Sequence, residues 1–213
     1  MDTLPRAIPR SLFAFAIFYG GMVCIAGVLG NKQVSVGPLA VEAGIFAFLL
    51  LVVTSSAVAE VHGRTVANQL VRMGFIPLLV SLGLSWIVWM LPASHEMQAA
   101  NRDAVQIILG ATWRIWIGGI VAYGISQTLN VTIFSALKGR EGSSLLWLRA
   151  AVAGVLSQVV DTLLFVTIAF LGVFPIAGLL AGQMIAKVAL SAILVPPLIY
   201  LFVAIARKLD AAE

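Results

Sequence analysis

Residues 126–134, with the sequence SQTLNVTIF, place a glutamine and an asparagine inside a long apolar segment of the chain. Residues 157–165, SQVVDTLLF, repeat this arrangement in the next apolar segment, with Asp161 in place of the asparagine. A charged side chain such as aspartate costs roughly 2.5–3.5 kcal/mol at the centre of a bilayer, so it usually faces a cavity or a polar partner. The two segments therefore predict a pair of membrane-spanning helices that form a solute site.

The composition of the whole chain is that of an integral membrane protein. Of its 213 residues, 61% are hydrophobic and 10% are charged, and the mean hydropathy is +1.06. Each of six apolar segments is near or above the ~20 residues that a spanning helix requires. We predict one all-α domain over 1–213 with six transmembrane helices, at about 11–30, 39–59, 73–91, 109–137, 146–173 and 176–206.

Basic residues lie at alternate ends of the predicted helices. Loops rich in lysine and arginine stay on the cytoplasmic side of a membrane. The loops on the other side carry Lys32 and Arg102. We therefore predict that both termini are cytoplasmic, and the net charge of +4 requires no nucleic-acid partner. The basic residues at the predicted cytoplasmic ends are Arg6, Arg10, Arg64, Arg72, Lys138, Arg140, Arg149, Arg207 and Lys208.

Positions along helices four and five indicate which side chains face one another. At 1.5 Å per residue, Gln127 and Gln158 lie ~15 and ~13 Å from the predicted cytoplasmic ends, so they are nearly level. Residues three or four apart share a helix face, which extends each polar row. The rows are Tyr123, Gln127, Asn130 and Phe134 on helix four, and Gln158, Asp161 and Phe165 on helix five. We expect them to line one mid-membrane cavity that suits a flat polar heterocycle.

Each of these polar residues also has a structural interpretation. Glutamine and asparagine join transmembrane helices by hydrogen bonds, so Gln127 and Asn130 are as consistent with helix packing as with ligand contact. Asp161 needs a cation or hydrogen-bond donors, and Lys187 lies at a similar depth in helix six. This pair is either a structural ion pair or a gating or proton-linked one. Arg114, near the outer end of helix four, is either an interface anchor or an outer gate.

The remaining carboxylates of the apolar segments have simpler expected roles. We expect Glu42 and Glu60 to be interfacial and to hydrogen-bond or pair with Lys32 and Arg64. Residues 92–106 are expected to form an outer loop with no fold of its own.

The sequence lacks the patterns of an enzyme. The two histidines are placed in loops, and no cluster of residues has metal-ligand spacing. No nucleophile and base pair stands at helical spacing. We therefore expect no catalytic activity, no metal and no cofactor.

Five phrases spread over most of the chain follow one pattern. They are AEVHG at 59–63, Arg114-Ile115, Ala122-Tyr123 with residues 126–134, residues 161–170, and Lys187-Val188. In these phrases the chain resembles the queuosine precursor transporter family, which is also called the vitamin uptake transporter family. The resemblance implies a six-helix inner-membrane importer of 7-deazaguanine bases, the 7-cyano and 7-aminomethyl precursors for tRNA modification. Family members often carry an acid at the positions of Ser56 and Asn130.

The resemblance also implies a fold similar to the substrate-binding subunits of energy-coupling-factor transporters. It gives functional weight to Arg114, Asp161 and Lys187. A carboxylate such as Asp161 accepts two donors from the edge of a guanine-like base. Gln127 and Gln158 would then address the remaining polar groups, and Phe165 or Tyr123 would stack on the ring.

The alternative function is that of a vitamin-binding membrane subunit that requires a separate ATP-driven module. Expected partners are the small-molecule base, membrane lipid and, in one interpretation, a second copy of the chain. Gly178 and Gly182 of helix six allow close packing within the chain, or instead in a homodimer or against another membrane subunit.

Overall fold

The computed structural model describes residues 8–36, 39–110, 113–138, 145–173 and 175–211. Arg6 and Arg140, two of the basic residues used to predict the orientation, lie outside these ranges. The helices are α1 Arg10–Leu29, α2 Gly44–Val61, α3 Arg64–Met73, α4 Phe75–Met90, α5 Ala99–Leu109, α6 Trp113–Ala136, α7 Leu146–Phe170 and α8 Ala177–Asp210. A two-stranded antiparallel sheet follows α1, with β1 at Gln33–Val36 and β2 at Leu39–Glu42.

Six helical segments in the described part of the chain are long and apolar enough to cross a membrane. Five of them are α1, α2, α6, α7 and α8, and the sixth is α3 followed by α4 over Arg64–Met90. The predicted fold class, a helical membrane protein with six spanning segments, is therefore confirmed.

The two ends of the helical bundle are distinguished by what they carry. At one end, the first turn of α1 contacts the last turn of α8, because the Ser11 hydroxyl donates to the Asp210 carboxylate at 2.8 Å. We call this the termini end. The β-hairpin lies between the end of α1 and the start of α2, and therefore marks the opposite end, which we call the hairpin end.

Helix α2 is the central helix of the bundle. It packs against α1, α3, α6, α7 and α8, and two thirds of its spanning window is buried. Its small and β-branched residues permit this close packing, and its residues from Leu51 to Ala59 are all buried. Helix α4, by contrast, lies at the periphery and has no buried residue. The large apolar side chains on outward faces, such as Ile76 and Ile193, suit contact with lipid chains.

The start of the second spanning helix differs from the prediction. We expected a helix over 39–59, whereas residues 39–42 form strand β2 and α2 begins at Gly44. Periodicity does not separate short apolar runs of strand from helix. Successive side chains of a strand point to opposite faces, so the side chain of Glu42 points away from the face that Val41 occupies.

The expected outer loop over 92–106 is also corrected. Residues Ala99–Leu109 form helix α5, which is too short to span a membrane. Its last residue, Leu109, falls within the predicted fourth spanning helix, which instead begins at Trp113. The prediction also missed α3, an amphipathic helix that precedes α4.

Candidate functional site

A cavity of about 500 Å³ occupies the half of the bundle nearer the hairpin end. Residues of α1, α2, α4, α5 and α6 contribute most of its wall, and Glu42 of β2 adds a carboxylate. Helices α7 and α8 contribute Asp161 and Lys187. The residues at 107–109 of α5 also line the cavity, so this helix packs over it. The volume lies within the range of about 300–1,000 Å³ that is usual for small-molecule sites.

Asp161 and Lys187 form a buried ion pair on the wall of this cavity. The Lys187 Nζ atom lies 3.3 Å from Asp161 Oδ2, and each residue is only 6% exposed. The Ser126 hydroxyl of α6 donates to the other carboxylate oxygen, Oδ1, at 3.2 Å. Each oxygen of an ionised carboxylate has two lone pairs, so Asp161 retains acceptor capacity for further donors.

Strand β2 brings a second carboxylate, Glu42, to the same cavity. Its Oε1 atom accepts a hydrogen bond from Gln183 Nε2 of α8 at 3.1 Å. Lys187 follows Gln183 by one helical turn, on the same face of α8. Burial raises the pKa of Glu42, and this outweighs the opposing effects of the Lys187 charge and the Gln183 hydrogen bond.

Aromatic rings complete the lining of the cavity. Phe165 and Phe170 of α7 meet edge to face, with ring centroids 5.9 Å apart. Tyr123 meets Phe75 in the same way at 5.0 Å. Trp116 of α6 also lines the cavity. These rings provide faces on which a flat heterocycle can stack.

Gln127 and Asn130 do not line this cavity and instead belong to a buried polar cluster against α2. The Asn130 Nδ2 atom lies 3.1 Å from Ser55 Oγ and 3.0 Å from Ser56 Oγ. Ser55 in turn donates to Gln127 Oε1 at 3.3 Å. Ser56 and Asn130 are thus in direct contact. These hydrogen bonds join α6 to α2.

Two other predicted site residues also lie outside the cavity lining. Gln158 of α7 is fully buried, and neither its amide oxygen nor its amide nitrogen has a hydrogen-bond partner among the described residues. Arg114 donates to the carbonyl oxygens of Ile168 and Leu171 at 3.1 and 2.8 Å. It therefore caps the end of α7, where carbonyl groups lack helical partners.

Tyr123 connects the cavity to the polar cluster through a second tyrosine. Its hydroxyl donates to the carbonyl oxygen of Val71 at 2.9 Å and lies 3.2 Å from the hydroxyl of Tyr19. Tyr19 is buried and reaches Gln127 Oε1 at 3.5 Å. The gap between α3 and α4 leaves room for both rings because residue 74 is glycine.

Replacing Gly74 with alanine is expected to destabilise the protein by about 1–3 kcal/mol through overpacking. The added Cβ atom would overlap the Tyr123 hydroxyl and lie 2.8 Å from Tyr19 Cε1. Size-exclusion chromatography after heating in detergent measures the loss of folded protein. Gly83→Ala in α4 is the matched control, since no atom outside its own helix turn lies within 4 Å of its added Cβ. Equal melting temperatures for the two variants would contradict the close packing at Gly74.

A second group of ion pairs connects helices at the termini end of the bundle. The Arg149 Nη2 atom of α7 lies 2.5 Å from Glu60 Oε2 of α2, and Lys138 Nζ lies 3.4 Å from the same oxygen. The Arg149 guanidinium also lies over the ring of Phe134, 4.4 Å from its centroid. Glu60 therefore pairs with these two residues, whereas we had expected Arg64.

A serine, a histidine and an aspartate also meet at the termini end. The Ser11 Oγ atom lies 2.7 Å from His62 Nε2 and donates to Asp210 Oδ2. Ser11 is fully buried, and its hydroxyl proton is directed to the carboxylate rather than to the imidazole. This arrangement joins the ends of α1, α2 and α8.

Four of the eight predicted site residues line the cavity: Tyr123, Asp161, Phe165 and Lys187. The other four, Arg114, Gln127, Asn130 and Gln158, lie elsewhere in the bundle. Glu42 was assigned an interfacial role, and Gln183 was not considered. The spacing of Gln183 and Lys187, four residues apart in an otherwise apolar helix, was a signal for a shared polar face.

The fold and cavity define a class of protein, namely a multi-pass helical membrane protein with an internal solute-sized cavity. Residues 42–202, most of the chain, match the family described as "Putative vitamin uptake transporter". The chain therefore belongs to this family.

A curated relative from Bacillus subtilis (strain 168) is described as "Probable queuosine precursor transporter". It is 34% identical to this chain over 118 residues, which are 54% of the chain and 50% of the relative. The match thus spans half of the relative's length. No solved structure matches the chain.

Proposed function

We propose that this chain imports a 7-deazaguanine base, the 7-cyano or 7-aminomethyl compound, across the inner membrane. The observation that carries the proposal is the buried Asp161–Lys187 pair on the wall of a solute-sized cavity. Ionisable residues within membrane spans are rare and usually mark a substrate or ion path. The name of the Bacillus relative supports the choice of substrate.

The hydrogen-bonding groups of the base suit this pair. The edge of a guanine-like base presents an amino group and a ring N–H side by side, followed by a carbonyl oxygen. The two donors suit the free lone pairs of the Asp161 carboxylate, and the carbonyl oxygen suits the Lys187 ammonium. The faces of Phe165 and Tyr123 would hold the ring by stacking.

The expected orientation of the bundle supports import as the direction of transport. Basic residues at the termini end, including Arg10, Arg64 and Arg207, favour a cytoplasmic position for that end. The cavity would then lie in the outer half of the membrane. The ion pairs of Glu60 at the termini end would close the path to the cytoplasm.

Asp161→Asn is expected to reduce uptake of the radiolabelled base about 10- to 100-fold, because hydrogen bonds to a charged group contribute about 1.5–3 kcal/mol. Uptake is measured in cells that lack their own synthesis and import of these bases, at equal membrane abundance. Asp103→Asn is the control, since Asp103 is an exposed carboxylate of α5. Equal uptake by the parent and Asp161→Asn would contradict a role of this carboxylate in substrate binding.

The single cysteine of the chain offers a direct measure of binding. Cys24 lines the cavity and is partly exposed. A bound base should therefore slow its alkylation by a small maleimide in the purified protein. Protection of Cys24 without uptake in proteoliposomes would favour the alternative function, a binding subunit that requires an energising module. Absence of both would reject the substrate.

A further inference from the structure

The formal charges of the side chains that line the cavity do not sum to zero. Among the described residues of its wall, the acids are Glu42 and Asp161 and the basic residue is Lys187. Lys187 is paired with Asp161. With both acids ionised, the cavity therefore holds one unpaired negative charge, and a buried charge of this kind is costly unless it is neutralised.

Of the two acids on the cavity wall, Glu42 is the one for which the described residues provide no ion pair. Its hydrogen bond from Gln183 occupies Oε1 and supplies no charge. Two states would remove the imbalance: a proton on Glu42, or a cationic group of a ligand next to it. The pKa of Glu42, which burial raises, is consistent with exchange between these states.

We infer that Glu42 binds the ammonium group of a cationic substrate, so that the cavity prefers the 7-aminomethyl base to the neutral 7-cyano base. This inference rests on the proposed function, and it adds a residue that distinguishes between the two substrates. A primary amine of this type is protonated at neutral pH, as is the lysine side chain. Its charge brings the total of the cavity to zero.

The order of the groups along the cavity wall matches the order of groups around the base. Along the base, the amino and ring N–H donors come first, the carbonyl oxygen next, and the substituent at position 7 beside it. Along the wall, Lys187 pairs with Asp161, and one turn earlier on the same face of α8 Gln183 donates to Glu42. Asp161, Lys187 and Glu42 thus offer an acceptor, a donor and an anion in the matching sequence.

The inference predicts that binding of the aminomethyl base depends on pH through Glu42. Below its pKa Glu42 carries a proton, which the ammonium group must displace. Affinity for the aminomethyl base should therefore rise with pH, by up to tenfold per pH unit, and level off above the pKa of Glu42. The other titratable groups of the cavity wall are Cys24, Tyr123, Asp161 and Lys187, and Lys32 lies at the base of the hairpin.

The test is calorimetric titration of the purified full chain with each base over a range of pH. Glu42→Gln keeps a partner for Gln183 and removes the charge. It should weaken binding of the aminomethyl base about 10- to 100-fold and abolish its pH dependence, with binding of the cyano base changed less than about threefold. Binding of the cyano base also shows that the variant is folded. Glu42→Asp, which retains the charge, should keep part of the preference.

Other outcomes separate this inference from the proposed function. If the parent binds both bases but Glu42→Gln weakens them equally, or weakens neither, Glu42 does not distinguish between the substrates and the inference is wrong. A parent protein that prefers the cyano base overturns the inference and leaves the proposed function intact. If neither base binds the parent, both are rejected. Should Glu42→Gln fail to fold, the pH dependence of the parent decides, because binding of the aminomethyl base that does not change with pH contradicts the inference.

Discussion

Replacing Lys187 with methionine is expected to destabilise the protein by about 3–5 kcal/mol, because it leaves a buried carboxylate without its cation. Asp161 is only 6% exposed, and its other hydrogen bond comes from the neutral hydroxyl of Ser126. Methionine has nearly the length of lysine and preserves the packing of α8. Folded yield and melting temperature in detergent measure the loss, and uptake of the base should also disappear.

A double substitution separates folding from transport. Asp161→Asn combined with Lys187→Met removes both charges, and replacing a whole buried ion pair by neutral groups is often neutral for stability. We expect the double variant to regain most of the melting temperature lost by Lys187→Met but to remain without uptake. Recovery of uptake together with stability would show that the pair is structural only. A double variant no more stable than Lys187→Met would contradict the ion pair itself.

The number of spanning helices was predictable because the bilayer imposes a length on apolar segments. That constraint acts on each segment separately and needs no knowledge of its neighbours. It does not act on elements too short to span a membrane, and the predicted bounds were wrong at two of these, strand β2 and helix α5. The hairpin strand Leu39–Glu42 and helix α5 are short, and the periodicity of a short apolar run alone does not identify its secondary structure.

The site was predictable only in part, because helical spacing gives a shared face but not the helix that the face contacts. Gln127 and Asn130 do lie on one face of α6, and that face packs against the serines of α2. Asp161 was identifiable because a carboxylate in an apolar span requires a cation or hydrogen-bond donors. Glu42 was not, since its contribution depends on a hairpin that returns the chain toward α8.

Arg149→Met is expected to destabilise the protein by about 3–5 kcal/mol, as the loss of one partner from a buried ion pair does. Arg149 is 3% exposed, and its guanidinium both pairs with Glu60 at 2.5 Å and lies over the Phe134 ring. The contact with the ring alone contributes about 0.5–2 kcal/mol. Melting temperature in detergent measures the effect. Arg149→Lys, which keeps the charge but lacks the planar group, should recover only part of it.

Lys138→Met is the matched control, because Lys138 pairs with the same oxygen of Glu60 at 3.4 Å. The Lys138 side chain is 40% exposed, and solvent-exposed ion pairs contribute about 0–1 kcal/mol. Each substitution removes one positively charged partner of the Glu60 carboxylate. A difference between the two losses of stability therefore measures burial and ring contact rather than charge. Equal losses would show that Arg149 acts only through its charge. A larger loss for Lys138→Met would contradict the arrangement at the termini end.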